Sequence, residues 1–170
     1  NFIESPNQSA RPADNRIDLL VIHNISLPPG EFGGDSIMRL FCNTLNCSAH
    51  PYFRALEGLR VSAHVLIRRN GDIMQFVPFN RKAWHAGRSS FEGIENCNDF
   101  SIGVELEGTD HDPFTDSQYA ALTQLTRDLL ATYPSLTEAR IVGHSDVAPG
   151  RKSDHGPCFD WERYRRSLRS

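Results

Sequence analysis

Residues 17–23 read IDLLVIH, an apolar run of aliphatic and β-branched side chains that ends in a histidine. The segment that follows, NISLPPGEFGG at 24–34, carries prolines and glycines that cannot continue a strand. The reading is a buried strand that delivers His23 to a loop. Whether His23 then belongs to a site depends on what the rest of the chain brings to the same end of a sheet.

Working outward, SIMRLFCNTL at 36–45 sets Ile37, Leu40, Phe41 and Leu45 on one helical face, with Asp35 or Ser36 as the N-cap. VSAHVLIRRNGDIMQFVP at 61–78 gives two strand-like runs around Asn-Gly, the strongest short hairpin signal, with His64 inside the first run. FSIGVELE at 100–107 alternates Ile102, Val104 and Leu106 against Ser101, Gly103, Glu105 and Glu107. That pattern predicts a half-buried strand whose two glutamates share a solvated face. TDSQYAALTQLTRDLLATY at 115–133 opens on a helix cap and repeats apolar residues at 119, 122, 125, 129 and 130, which makes it the longest expected helix. ARIVGH brings a short strand to His144, a polar loop follows, and DWERYRRSLR at 160–169 closes as an amphipathic helix. Strands and helices interleave without repeats or low-complexity linkers. They predict one α/β domain over residues 1–170, a central mixed β-sheet flanked by α-helices, with polar clusters at strand ends.

A chain of 170 residues buries roughly two thirds of the surface its unfolded form exposes, enough for one core without staples. Lys and Arg number 18 against 21 Asp and Glu, a formal charge of -3 with none of the basic excess that neutralises phosphate backbones, so nucleic acid is not an expected partner. No apolar run of membrane-spanning length occurs, and residues 1–16, NFIESPNQSARPADNR, lack the basic and apolar regions of a signal peptide. The expectation is a cytoplasmic monomer with no membrane partner. Cys42, Cys47, Cys97 and Cys158 lack paired C-x-x-C spacing, and reduced structural thiols are expected, a Cys42–Cys47 loop disulfide being the alternative.

The densest chemistry lies in VGHSDVAPGRKSDHGP, residues 142–157. His23 and His144 end two apolar strands, and Asp154, ten residues beyond His144 across a Pro/Gly loop, is placed to swing back beside them. A mixed His, His, Asp set suits zinc better than magnesium or calcium, which prefer all-oxygen shells. Asp146 competes with Asp154 for the third place, and spacing does not separate them. Either Glu105 or Glu107, facing such a pocket, would serve as a general base, and Lys152 would lend positive charge to a developing oxyanion. His64 reads as a hydrogen-bonded structural residue, and His50 and His111 as loop residues. His85, beside Trp84 in RKAWHAGRSS, reads equally as part of a sugar or peptide contact and as part of an anchored loop.

At these residues the chain resembles the AmpD-type 1,6-anhydro-N-acetylmuramoyl-L-alanine amidases, a branch of the zinc amidase family related to phage amidase-lysozymes and peptidoglycan recognition proteins. The likeness is carried by LLVIHNISLPPGEFGG, HPYF, LRVSAHVLIRRNG, RKAWHAG, CNDFSIGVELEGTD, FTDSQY and GHSDVAPGRKSDHGPCFDW, in order along almost the whole chain. The resemblance implies one zinc ion per chain held by His23, His144 and Asp154, with Glu105 as the catalytic base and Lys152 as the oxyanion stabiliser. It implies substrate contacts at Asn24, Arg60, Ala83, Trp84 and Arg151, with the two arginines suited to stem-peptide carboxylates and Trp84 to the anhydro sugar. It also implies hydrolysis of the amide between the lactyl group of (1,6-anhydro-)N-acetylmuramic acid and L-alanine, in peptidoglycan recycling. By extension it implies lowering of the muropeptide signal that induces β-lactamase. The alternatives are a non-catalytic muropeptide-binding module and a periplasmic amidase acting on polymeric peptidoglycan. One departure from the family pattern is His155 in KSDHGP, where proline is usual; it is expected to stay out of the metal shell.

Overall fold

The computed structural model describes residues 1–14 and 16–169. Its strands are β1 (Gln8–Ala10), β2 (Leu19–Ile25), β3 (Val65–Ile67), β4 (Ile73–Gln75), β5 (Arg81–Ala83), β6 (Ser90–Phe91), β7 (Ile94–Glu95), β8 (Ser101–Glu107) and β9 (Ile141–Gly143). Its α-helices are α1 (Ser36–Phe41), α2 (Asp116–Thr132), α3 (His144–Val147) and α4 (Trp161–Arg169). Five strands form one mixed sheet in the order β4-β3-β8-β2-β9. All neighbours run parallel except the β3–β4 hairpin.

The run 19–22 forms the middle of this sheet because it is apolar on both faces of the pleat; Leu19, Leu20, Val21 and Ile22 have no exposed surface. Leu20 and Ile22 face the same side as Ile102, Val104 and Leu106 of β8, and there α2 and α4 cover them with Tyr119, Leu122, Leu129 and Tyr164. A fully buried leucine such as Leu122 contributes about 1.5–3 kcal/mol relative to an exposed one. Leu19 and Val21 face the opposite side, where they meet Ala86, Cys97, Phe100 and Val147. Along β2 and β8 the odd-numbered residues share that second face, so the pleat directs His23 and Glu105 to the side away from the long helices.

Three expectations need correction. The first helix ends at Phe41, not Leu45: Asn43 takes a φ of 60°, its N–H donates to the Leu40 carbonyl and Thr44 N–H donates to that of Arg39, the paired bonds that close a helix at a left-handed residue. Leu45 nevertheless packs against the cluster of Ile37, Leu40 and Phe41. The second correction is to β8, which is covered on both faces. Glu107 is 1% exposed, and its carboxylate accepts from Gly33 N–H, Arg69 N–H and Arg68 Nη1, pinning the 28–34 loop to the sheet. The third is that His144 begins a single helical turn, α3, instead of an open loop. The Asn-Gly hairpin forms as expected, with residues 68–72 as its loop. The capping box on α2 also forms, between Thr115 and Gln118. Among the described residues no helix is long and apolar enough to cross a membrane, and all four cysteines are free.

His64, immediately before β3, has the structural role expected of it. Gly103 N–H donates to its Nδ1 at 3.0 Å, which leaves the ring proton on Nε2, 3.0 Å from the Arg81 carbonyl. Burial, with Arg11 adding to it, pushes the imidazole down from 6.5 to about 3. The unfolded state therefore binds a proton that the folded state refuses between about pH 6.5 and 3, so His64 makes the fold lose stability as pH falls through that window. Urea titrations at pH 5.5 and 4.5 are expected to show a loss about 1 kcal/mol larger for the wild type than for His64→Gln. Equal losses would remove His64 as the source.

Candidate metal centre

The register that pairs β2 with β8 sets His23 directly beside Glu105, and β9 on the other side of β2 ends at Gly143, so His144 emerges next to His23. The chain then passes through α3 and the Pro149-Gly150 turn, and Ser145 N–H donates to the Asp154 carbonyl at 2.8 Å, folding the loop back. Three ligand atoms converge. His23 Nδ1 lies 2.9 Å from His144 Nδ1, and Asp154 Oδ2 lies 3.2 Å from the first and 3.0 Å from the second. Among the described residues this is the one group of side chains with metal-ligand spacing.

The residues fit a metal ion. Ligands about 2.0–2.1 Å from a tetrahedral zinc lie roughly 3.3 Å apart, close to the edges of this triangle. Burial pushes His23 down to about 4, against the pull of Asp154. Burial alone would raise Asp154, but hydrogen bonds to His144 and His23 hold it well below the usual carboxylate range. A neutral imidazole and an ionised carboxylate are the forms that bind metal. Each histidine also has its far nitrogen engaged: His23 Nε2 is 2.9 Å from His85 Nδ1, and His144 Nε2 is 3.3 Å from the Ala86 carbonyl.

Glu105 stands beside this triangle with Oε2 buried and without a hydrogen-bond partner among the described residues. Burial and then Asp154 push its carboxyl well above the usual range, while Lys152 opposes them. The ligand atoms and Glu105 line a groove of about 500 Å³, whose lining also includes the apolar Tyr52, Leu56 and Trp84 and the polar Asp110, Arg151 and Lys152. A depression of about 720 Å³ elsewhere, between Glu4 and Arg81, holds no comparable group of ligating side chains.

Of the residues singled out from sequence, His23, Asn24, Trp84, Glu105, His144, Arg151, Lys152 and Asp154 all line this groove. Two do not. Ala83 is wholly buried in the core beneath α1, and Arg60 is exposed on the 57–60 turn, lining the neighbouring depression with Cys47 and Leu56. Asp146 accepts from Gly143 N–H at 2.7 Å and is not part of the triangle. His155 also stays out of the triangle: Trp161 Nε1–H donates to its Nε2 at 2.9 Å, and its Nδ1 lies 2.7 Å from the Gly156 carbonyl. Arg151 carries a task that spacing did not suggest, donating through Nη2 to the carbonyls of Ala86 and Arg88. His85, left between two roles by the sequence, is half-buried, lines the groove and lies against His23 and Ser101. Asn98, which nothing in the sequence distinguished, holds the backbone of His85 and Ala86.

The family described as N-acetylmuramoyl-L-alanine amidase matches residues 13–157. The 1,6-anhydro-N-acetylmuramyl-L-alanine amidase AmpD of Salmonella typhimurium (strain SL1344) is 55% identical over 163 residues, 96% of this chain and 87% of its own. A crystal structure of a selenomethionine AmpD derivative superposes with a TM-score of 0.96 at 54% identity, covering 99% of this chain and 93% of that one. The amidase AmiD from Escherichia coli, in complex with the substrate anhydro-N-acetylmuramic acid-L-Ala-D-gamma-Glu-L-Lys, gives 0.65 at 31% identity, covering 94% of this chain and 60% of that one. With a family match over most of its length and relatives this similar, the chain belongs to the N-acetylmuramoyl-L-alanine amidase family.

Proposed function

We propose that the protein is a zinc amidase that cleaves the bond between the lactyl group of 1,6-anhydro-N-acetylmuramic acid and L-alanine in soluble muropeptides, as a step in cell-wall recycling. The observation that carries this reading is the convergence of His23 Nδ1, His144 Nδ1 and Asp154 Oδ2 beside the unpartnered Glu105 Oε2. The two-nitrogen, one-oxygen donor set favours zinc over magnesium or calcium. The anhydro sugar named for the AmpD relative and the peptide bound to AmiD supply the substrate class.

A zinc ion held by His23, His144 and Asp154 would supply Lewis acidity to polarise the amide carbonyl and activate a water. Glu105 takes the proton of that water at Oε2 and returns it to the leaving nitrogen of L-alanine. Burial raises its affinity for protons, the direction that suits a general base. Lys152, exposed at the mouth of the groove, sets its ammonium near the oxyanion that develops as the carbonyl is attacked. Trp84, with Nε1–H fixed on Ser9 Oγ at 3.1 Å, presents a rigid apolar face to the sugar. Asn24, which lines the groove, donates through Nδ2 to Asp110 Oδ1 at 2.7 Å and to the His155 carbonyl at 2.9 Å, and these bonds would orient it for the substrate.

Incubation of metal-quantified protein with anhydro-muramoyl-tripeptide, followed by chromatography and mass spectrometry, is expected to yield free tripeptide and anhydro-N-acetylmuramic acid. A zinc-loaded protein that binds the fragment and leaves it whole would mark a recognition module and overturn the proposal. Glu105→Gln is expected to keep its zinc while kcat falls about 10²–10⁴-fold. Unchanged turnover would remove Glu105 as the base. Asp154→Ala is expected to lose zinc on dialysis under conditions in which the wild type retains it, and retention by the variant would rule out Asp154 as a ligand.

A further inference from the structure

One loop reaches the far side of both metal-site histidines. His85 and Ala86 are consecutive residues, and they take the two outward ring nitrogens: His85 Nδ1 lies 2.9 Å from His23 Nε2, and the Ala86 carbonyl lies 3.3 Å from His144 Nε2. We infer that the loop over residues 84–89 is the element that orients the metal centre, and that His85 is a positioning residue that fixes the ring of His23. The inference rests on the metal reading proposed above.

The proton arrangement follows from the donors. If His23 keeps Nδ1 bare for a metal, its proton sits on Nε2 and His85 must accept it at Nδ1. His85 then carries its own proton on Nε2, 3.1 Å from Ser101 Oγ. Ser101, His85 and His23 thus form one directed chain behind the metal triangle. A ligating histidine usually gives its other N–H to a carboxylate, a carbonyl or water. His144 follows that pattern through the Ala86 carbonyl, whereas His23 uses a second imidazole, so its orientation depends on the tautomer of His85.

The loop is itself held at both ends. Asn98 Oδ1 accepts the backbone N–H of His85 at 3.1 Å and that of Ala86 at 2.8 Å. Arg151 Nη2 donates to the Ala86 carbonyl at 2.6 Å and to the Arg88 carbonyl at 2.7 Å. Room for the His85 ring comes from Gly103 in β8, where a Cβ would come within 2.4 Å of His85 Cγ. The two rings meet edge-on, with centroids 5.0 Å apart and planes at 89°.

Zinc dissociation constants measured by competition with a chromophoric chelator test this on the full chain. His85→Phe keeps a ring but has no acceptor, and His85→Asn offers Oδ1 near the place of Nδ1. The expected result is zinc binding weakened about 10–100-fold in His85→Phe and largely restored in His85→Asn, with matched melting temperatures for the zinc-free proteins. Equal zinc affinity in wild type and His85→Phe, or equal losses in both variants, would overturn the inference. Nitrogen-15 chemical shifts of the zinc-loaded wild type give a readout that needs no variant and decides the matter if His85→Phe does not fold. They are expected to show His85 protonated on Nε2 and bare on Nδ1, and the opposite tautomer would overturn the chain. A wild type that binds no zinc would contradict the metal reading itself, a failure distinct from normal zinc binding that ignores His85.

Discussion

The parallel pairing of β2 with β8, in the register that sets His23 against Glu105, is the constraint on which the rest of the molecule depends. A slip of β2 by one residue would turn His23 towards α2 and α4, away from the face that carries Glu105, and bring Ile22 to the groove side. That slip is resisted by the core: Leu20, Ile22, Ile102, Val104 and Leu106 are at most 1% exposed against the helices, so register and site are fixed by the same burial. The β2–β9 pairing then brings His144 to the metal triangle, and the return of the chain to Ser145 brings Asp154.

The face of the sheet away from the long helices gathers His23 and His64, both buried, and the half-buried His85, with His144 buried close by. Desolvation holds the first three neutral, and Asp154 is held ionised. They divide by partner. His64 is saturated by the Gly103 amide and the Arg81 carbonyl and is structural. His23 and His144 turn one nitrogen each towards Asp154 and the other towards the loop that carries His85. Glu105 is the counterpart, a carboxyl whose buried oxygen has no partner among the described residues and which faces the groove. Unpaired buried oxygens are costly to maintain in a fold and gather where chemistry needs them.

Much of this was legible in the sequence, for physical reasons that differ from segment to segment. The aliphatic run at 19–22, the Asn-Gly hairpin and the capped helix at 116–132 are local signals strong enough to stand without tertiary context. The alternation over 100–107 correctly sorted Ile102, Val104 and Leu106 from the glutamates, but it could not reveal that loops cover the second face, so Glu107 looked solvated where it is in fact a buried anchor for Gly33 and Arg68. The end of α1 was signalled by Asn43, a residue tolerant of left-handed backbone, yet the apolar spacing of Leu45 outweighed it. The three-residue strands β1 and β5 are too short to show a period. His85 and Asn98 act on groups distant in sequence, and only the fold brings them together. The family resemblance chose Asp154 over Asp146; in the fold Asp154 meets the two histidines, while Asp146 accepts from the Gly143 amide.

The central claim is that one zinc ion sits between His23 Nδ1, His144 Nδ1 and Asp154 Oδ2, next to Glu105. A crystal structure of the zinc-loaded protein, with diffraction collected on both sides of the zinc absorption edge, tests it most directly. A single anomalous peak per chain is expected, about 2.0–2.2 Å from each of those three atoms. A peak coordinated through the Nε2 atoms, a peak on Asp146 or His155, or no peak in the groove would contradict it.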